Sequence, residues 1–120
     1  MPLKETDSAY LWDMLEAARA VLRFIADRGF DDYLADEILQ AAIERKIEII
    51  GEAARKISNE FRQSHPEFPW SRIIGQRHIL AHEYGDIDHK IVWKVVKPHV
   101  PELITLLEAV IPPIPEEGEI

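Results

Sequence analysis

Cysteine is absent from the 120 residues of the sequence, and so is any long apolar run. The first absence excludes disulfides and thiol chemistry and favours an intracellular, cytoplasmic setting. No segment approaches the roughly 20 apolar residues that span a bilayer, and the N-terminal residues lack the apolar core of a signal peptide. We therefore expect a single domain with its own hydrophobic core and no membrane partner.

Basic residues are scarce: 14 Lys and Arg stand against 22 Asp and Glu, a net charge of −8. This balance argues against a nucleic-acid-binding surface over the whole molecule. The distribution is uneven, because residues 1–54 carry 6 basic and 12 acidic side chains, whereas residues 55–99 carry 8 and 5. Residues 100–120 carry no basic side chain and 5 acidic ones. The middle block, which also holds all five histidines, would attract an anionic ligand, unless the excess is a chance fluctuation.

Strand-like alternation and internal repeats are also missing, and the apolar spacing is helical. A first helix is predicted over residues 7–28, with Gly29 as its C-terminal stop. Its apolar face consists of Leu11, Leu15, Ala18, Leu22 and Ile25. Its candidate N-caps are Thr6, Asp7 and Ser8.

Proline is missing between Leu34 and Phe61, which predicts a long second helix, with Asp31 or Asp32 as the cap. The alternative is a short broken turn at the start of this helix. Its apolar face consists of Leu39, Ile43, Ile47, Ile50, Ala54, Ile57 and Phe61. Gly51 in its middle costs about 1 kcal/mol of helix propensity relative to alanine. Either a neighbouring helix approaches closely there, or Gly51 is a tolerated surface glycine.

Prolines shape the second half of the chain. Two of them interrupt the loop at 64–70, after which a third helix is predicted from Trp70 to about His82. A fourth helix, capped by Asp86 or Asp88, runs to about Ile111 and is kinked or broken in two at Pro98 and Pro101.

The last nine residues, 112–120, are rich in proline and glutamate. This composition predicts an extended or disordered tail. The expected fold class is therefore all-α, a single helical-bundle domain of four to five helices over residues 1–111, followed by a flexible tail over 112–120.

Reactive side chains are concentrated in the segment from Arg77 to Tyr84, which also contains His78 and His82. His82 is a candidate general acid or base, because imidazole titrates near neutral pH. Arg77 is a candidate phosphate clamp, since guanidinium pairs with phosphate oxygens and keeps its charge. The pair suits RNA cleavage in which the 2′-OH attacks the adjacent phosphorus, without a metal ion or other cofactor.

Helical geometry leaves alternatives open. Positions 77 and 82 lie roughly 140° apart on an ideal helix, so convergence needs the helix to end near His82, or a second protomer. His82 could instead be an interfacial or capping histidine. His78 and His82, four residues apart, could bind zinc, although this spacing alone is a weak signal. Tyr84 could be a core aromatic residue or an exposed hydroxyl.

The pattern Arg77-x4-His82-x-Tyr84 resembles the signature of HepT-like HEPN ribonucleases, the toxins of HepT/MntA toxin–antitoxin pairs. The resemblance spans roughly residues 8–110 and extends beyond the signature. It includes Ile49 to Ala54, Pro66 to Trp70, Gly75, and the pair Val92 and Trp93. His78 departs from the asparagine that is common after the signature arginine, which leaves its auxiliary role open.

The resemblance implies a HEPN-type bundle that forms a homodimer, in which two copies of the motif face a shared cleft. It implies a type VII toxin, a metal-independent endoribonuclease that cleaves tRNA or mRNA, with Arg77 and His82 catalytic. It also implies an MntA-like nucleotidyltransferase antitoxin that adds AMP to Tyr84. Some family members lack demonstrated nuclease activity, so the alternative is a non-catalytic HEPN partner of a nucleotidyltransferase.

Overall fold

The structure, a computed structural model, describes residues 4–75 and 89–111. The described residues form six helices and contain no strand. The helices are α1 (Glu5–Ile25), α2 (Phe30–Ala35), α3 (Glu37–Lys56), α4 (Asn59–Ser64), α5 (Trp70–Gly75) and α6 (His89–Val110). The predicted all-α class is confirmed. No helix in these two ranges is long and apolar enough to cross a membrane.

The core lies between α1, α3 and α6, because α1 packs against both other long helices and α5 packs on α3. Its most deeply buried members come from all three long helices and include Leu11, Leu15, Val21, Ile43, Ile50, Val96 and Leu107. Small residues are buried in α1 and α3, among them Ala17, Ala18, Ala53 and Ala54. Gly51 is also buried, so it is not a surface glycine.

The predicted second helix is interrupted twice. The break at Asp36 agrees with the alternative of a short broken turn at its start, whereas continuation of one helix through Ser58 to Phe61 was wrong. Asp36 and Ser58 have extended backbones, and each caps the helix that follows it. The Asp36 carboxylate accepts from Leu39 N at 3.0 Å, and Ser58 Oγ accepts from Phe61 N at 3.2 Å. Apolar periodicity continues across both breaks because α2, α3 and α4 all face the same core.

Buried Asp7 explains the second break. Its carboxylate accepts from Ser58 N at 2.9 Å and from Ser58 Oγ at 2.7 Å, so α1 holds the start of α4. Asp7 therefore lies inside α1, whose N-cap is Lys4, and the predicted caps of this helix were wrong. At its other end α1 stops at Ile25, and Asp27 rather than Gly29 adopts the left-handed conformation, with φ 61°.

Gly29 is instead the N-cap of α2, and its N–H donates to the Asp32 carboxylate at 2.8 Å. Asp32 thus caps α2, a six-residue helix, and not the start of a long one. In α6 the helix continues through Pro98 and Pro101, so the prolines do not break it in two. The predicted tail over 112–120 and the capping aspartates Asp86 and Asp88 lie outside the described residues.

Candidate functional site

The predicted site residues Arg77, His78, His82 and Tyr84 all lie outside the described residues. The described helices on either side of this segment are α5, which ends at Gly75, and α6, which begins at His89. The structure therefore defines what anchors the two flanks of the motif.

The α5 flank is fixed by packing and by an indole hydrogen bond. Ile73 is buried in the core, and Trp70 Nε1 donates to the His65 carbonyl at 3.0 Å. The Trp70 ring stacks on buried Phe68 with centroids 4.7 Å apart. These contacts hold the first turn of α5 against the 64–70 loop.

An ion pair joins the two flanks. Arg72 of α5 lies 3.9 Å from the Glu102 carboxylate of α6, and both side chains are partly exposed. Such a pair contributes little to stability, at most about 1 kcal/mol. The ion pair instead shows that α5, before the motif, and α6, after it, lie side by side at this point.

The α6 flank is held by a polar cluster, which we name the His89 cluster and which consists of His89, Tyr33 and Glu44. The Tyr33 hydroxyl lies 3.1 Å from His89 Nδ1, and a Glu44 carboxylate oxygen lies 3.8 Å from the same nitrogen. Tyr33 is fully buried, whereas the side chains of His89 and Glu44 are 30% and 20% exposed. The cluster thus joins α2, α3 and the first residue of α6.

Burial raises the pKa of two members of the His89 cluster. It raises the pKa of the Tyr33 hydroxyl, and the nearby Glu44 charge raises it further. Tyr33 therefore keeps its proton at neutral pH, and its hydroxyl lies within hydrogen-bonding distance of His89 Nδ1. Burial also raises the pKa of Glu44, although the charge of His89 acts in the opposite direction.

Sequence reasoning did not connect Tyr33, Glu44 and His89. Tyr33 and His89 are 56 residues apart, and no local spacing indicates their contact. The one available signal was the position of His89 in the net-basic block that contains the motif. A perturbed carboxyl group beside a histidine is typical of functional sites, although structural networks also produce it.

Metal binding receives no support from the two described ranges. Within them, no group of three or more His, Asp or Glu side chains is arranged to hold a metal ion. The predicted pair His78 and His82 lies outside those ranges, so the zinc alternative stays a prediction.

The fold and the flanks define a class of protein, a small helical bundle whose reactive segment lies between two anchored helices. The family described as "Ribonuclease HepT-like" matches residues 14–110, a range that includes the whole Arg77–Tyr84 segment. This chain belongs to the HepT-like ribonuclease family. The family resemblance is confirmed, and so is the expected enzyme class, a ribonuclease.

Archaeal relatives are similar over nearly their whole length. The "Putative RNase MJ1380" of Methanocaldococcus jannaschii is 39% identical over 107 residues, which cover 89% of this chain and 98% of the relative. The "Probable ribonuclease HepT" of Thermococcus cleftensis is 39% identical over 101 residues, 84% of this chain and 92% of the relative. No solved structure matches the chain.

Proposed function

We propose that this chain is the toxin of a type VII toxin–antitoxin pair, a metal-independent endoribonuclease that cleaves tRNA or mRNA in the cytoplasm. The family match carries the proposal, because the matched range, residues 14–110, contains the whole motif from Arg77 to Tyr84. The net-basic charge of residues 55–99 supports an anionic substrate at this part of an otherwise acidic chain.

In the proposed reaction the 2′-OH attacks the adjacent phosphorus while the bond from phosphorus to the 5′ oxygen breaks. His82 takes the proton of the 2′-OH or supplies one to the leaving oxygen. Arg77 stabilises the negative charge that develops on the phosphoryl oxygens. The products are a 2′,3′-cyclic phosphate and a 5′-hydroxyl end, so no water or metal ion enters this step.

A homodimer would complete the site from two copies of the motif. Arg77 of one protomer could then face His82 of the other, although the two positions lie roughly 140° apart on one ideal helix. Sedimentation velocity of the purified chain measures this directly. A chain that stays monomeric at micromolar concentration while it cleaves RNA would remove the dimer from the proposal.

The decisive measurement is cleavage of total tRNA in EDTA by the wild type and by His82→Ala. We expect cleavage by the wild type and a loss of at least about 100-fold in the variant, the lower range for a general acid or base. Far-ultraviolet circular dichroism of the variant controls for folding. Equal cleavage by both proteins would contradict the assignment of His82, and cleavage by neither would favour the non-catalytic partner of a nucleotidyltransferase.

Regulation by an MntA-like nucleotidyltransferase antitoxin forms the second part of the proposal, with Tyr84 as the acceptor of AMP. Co-expression with a cognate nucleotidyltransferase should increase the intact mass by whole AMP units. Tyr84→Phe should lose that increase, because it removes only the accepting hydroxyl. Unchanged mass in both proteins would contradict the acceptor role, whatever the outcome of the cleavage assay.

A further inference from the structure

An open groove with a volume of about 490 Å³ lies between α1 and α3. A water molecule needs only about 15 Å³ of open space, so the groove has room for side chains of another molecule. Asp13 and Glu16 line one end of it, and Arg23 lines the other end of the same stretch of α1. These three residues and Ala20 fall within a stripe roughly 80° wide on an ideal helix. We name this cavity, which Lys46 of α3 also lines, the α1–α3 groove.

The basic end of the α1–α3 groove takes residues from both helices. Asp7 of α1 binds Ser58, just after the end of α3, so the two helices run antiparallel. Arg19 and Lys46 each lie twelve residues from that contact, so they are level with each other along the groove. Together with Arg23 they place three cations at one end, while the end nearer the start of α1 is acidic.

The opposite charges of the α1–α3 groove do not neutralise each other. Arg19 pairs with Glu108 of α6 at 2.7 Å, which lies outside the groove. Within the part of the chain that the structure describes, no ion pair joins the acidic end of the groove to its basic end. The groove therefore keeps a charge polarity along its length.

This polarity discriminates between possible occupants. A polyanion such as RNA, or the acidic residues 112–120 of this chain, would complement the basic end alone. Asp13 and Glu16 would repel either of them. A second copy of the same groove, turned end to end, brings each end opposite a charge of the other sign. A contact across a two-fold axis has this property, because both subunits use the same patch.

Two alanines in the middle of the α1–α3 groove suit such a contact. Ala17 and Ala20 are each 3% exposed and lie between the charged ends. Asp13 lies four residues before Ala17, and Arg23 lies three residues after Ala20. Reversal of α1 about the alanines consequently brings Asp13 of one copy opposite Arg23 of the other. Short side chains at the crossing allow the two helix axes to approach to about 8 Å.

We propose that the α1–α3 groove is a self-association surface that binds the same groove of a second copy of this chain in the antiparallel direction. Asp13 and Glu16 of each protomer then face Arg23 and Lys46 of the other. Charge complementarity sets the direction of the two copies, and the buried alanines form the centre of the contact.

The contact is additional to the motif-to-motif dimer of the proposed function. On α3, Lys46 and Glu44 lie roughly 160° apart around the helix axis. The groove is therefore on the side of α3 away from the His89 cluster and from the flank that follows the motif. Two different two-fold contacts on one chain give an assembly of four protomers or more. The inference goes beyond the proposed function and does not depend on RNA cleavage.

The test reverses the charges at each end of the groove separately and measures mass by sedimentation equilibrium at low salt. One variant carries Asp13→Lys and Glu16→Lys, and the other carries Arg23→Glu and Lys46→Glu. In either variant alone, like charges meet across the contact, which should weaken it by at least about 100-fold. Each variant should therefore have half the mass of the wild-type assembly. An equimolar mixture of the two should restore the wild-type mass, because opposite charges meet again.

Two further proteins control for folding and for net charge. The quadruple variant with all four changes keeps the complementarity and should have the wild-type mass. Arg55→Glu with Lys94→Glu changes the net charge as much as the basic-end variant, at exposed positions outside the groove, and should also keep that mass. Circular dichroism checks the helix content of each protein. If the half-buried Lys46 variant loses helix, Arg23→Glu alone takes its place in the same mixture.

Unchanged mass in both reversal variants would overturn the proposal, as would a loss of mass that the mixture does not restore. If the basic-end variant loses affinity for RNA and keeps its mass, the groove binds RNA and the proposal is wrong. Association that appears only after removal of residues 112–120 would make those residues the occupant, which also contradicts it. The proposed function fails on a different observation, namely that the wild-type protein does not cleave RNA.

Discussion

Glu44 is a carboxylic acid whose surroundings disfavour its charged form. Burial raises its pKa above the ordinary value of 4.5, and the nearby His89 opposes that effect only in part. The folded protein therefore binds this proton more tightly than the unfolded chain does. The associated stability is fully present below about pH 4.5 and is lost as the pH rises through the folded-state pKa. At neutral pH an ionised Glu44 is a stability cost, as is common at functional sites.

Glu44→Gln should consequently raise the free energy of unfolding at pH 7 to 8, with the gain vanishing as the pH falls towards 4.5. Urea unfolding across this pH range measures the difference. Glu48→Gln is the control in the same helix, since its carboxylate is exposed and pairs with Arg45 at 3.1 Å. The control should lose no more than about 0.5 kcal/mol. If Glu44→Gln destabilises the protein most at neutral pH, the attraction between Glu44 and His89 outweighs burial.

The chemical types of the residues could be used for prediction from the sequence, whereas their long-range contacts could not. Arginine, histidine and tyrosine in one segment indicated phosphodiester chemistry because their charges and pKa values are nearly intrinsic. The roles of Asp7 and Glu44 were not predictable, because each depends on a partner far away in the sequence. Asp7 looked like a helix cap, yet its partner is Ser58, 51 residues later.

Among the elements, the long helices were the most predictable, because their apolar periodicity over many turns has few alternatives. The predicted first helix over residues 7–28 differs from α1, Glu5–Ile25, by two or three residues at each end. The interruptions were harder to predict. Neither Asp36 nor Ser58 is a proline or glycine, and both sit within a continuous apolar pattern.

The break between α2 and α3 should depend on the side-chain cap. Asp36→Ala removes the acceptor for Leu39 N and should cost about 1 kcal/mol of unfolding free energy. Asp36→Asn retains an acceptor and should cost a few tenths of a kcal/mol. Both variants lose the half-exposed ion pair with Arg28 at 3.7 Å, so urea unfolding of the two separates the cap from the charge. An equal loss in both would assign the effect to the ion pair.

At the scale of the molecule, acidic and basic residues are concentrated in different parts of the chain, and the proposed function needs basic residues near the motif. The acidic excess lies in residues 1–54 and 100–120, and the basic excess lies between them, in the block that contains the motif. The family match ends at residue 110, one residue before the buried Ile111. The predicted folding unit of residues 1–111 includes both the matched range and Ile111, and its boundary stays a prediction.

Two truncations test that boundary. Removal of residues 112–120 should leave the thermal midpoint within about 2 °C, because Ile111, the last buried residue in the described part of the chain, is retained. Removal of residues 107–120 also deletes Leu107, which is 0% exposed, and Ile111, which is 7% exposed. Loss of two large core side chains costs roughly 4 kcal/mol or more, which is comparable to the whole stability of a small domain. The shorter protein should therefore be unfolded at 25 °C by circular dichroism, whereas a large drop in the midpoint of the longer one would assign residues 112–120 to the folded domain.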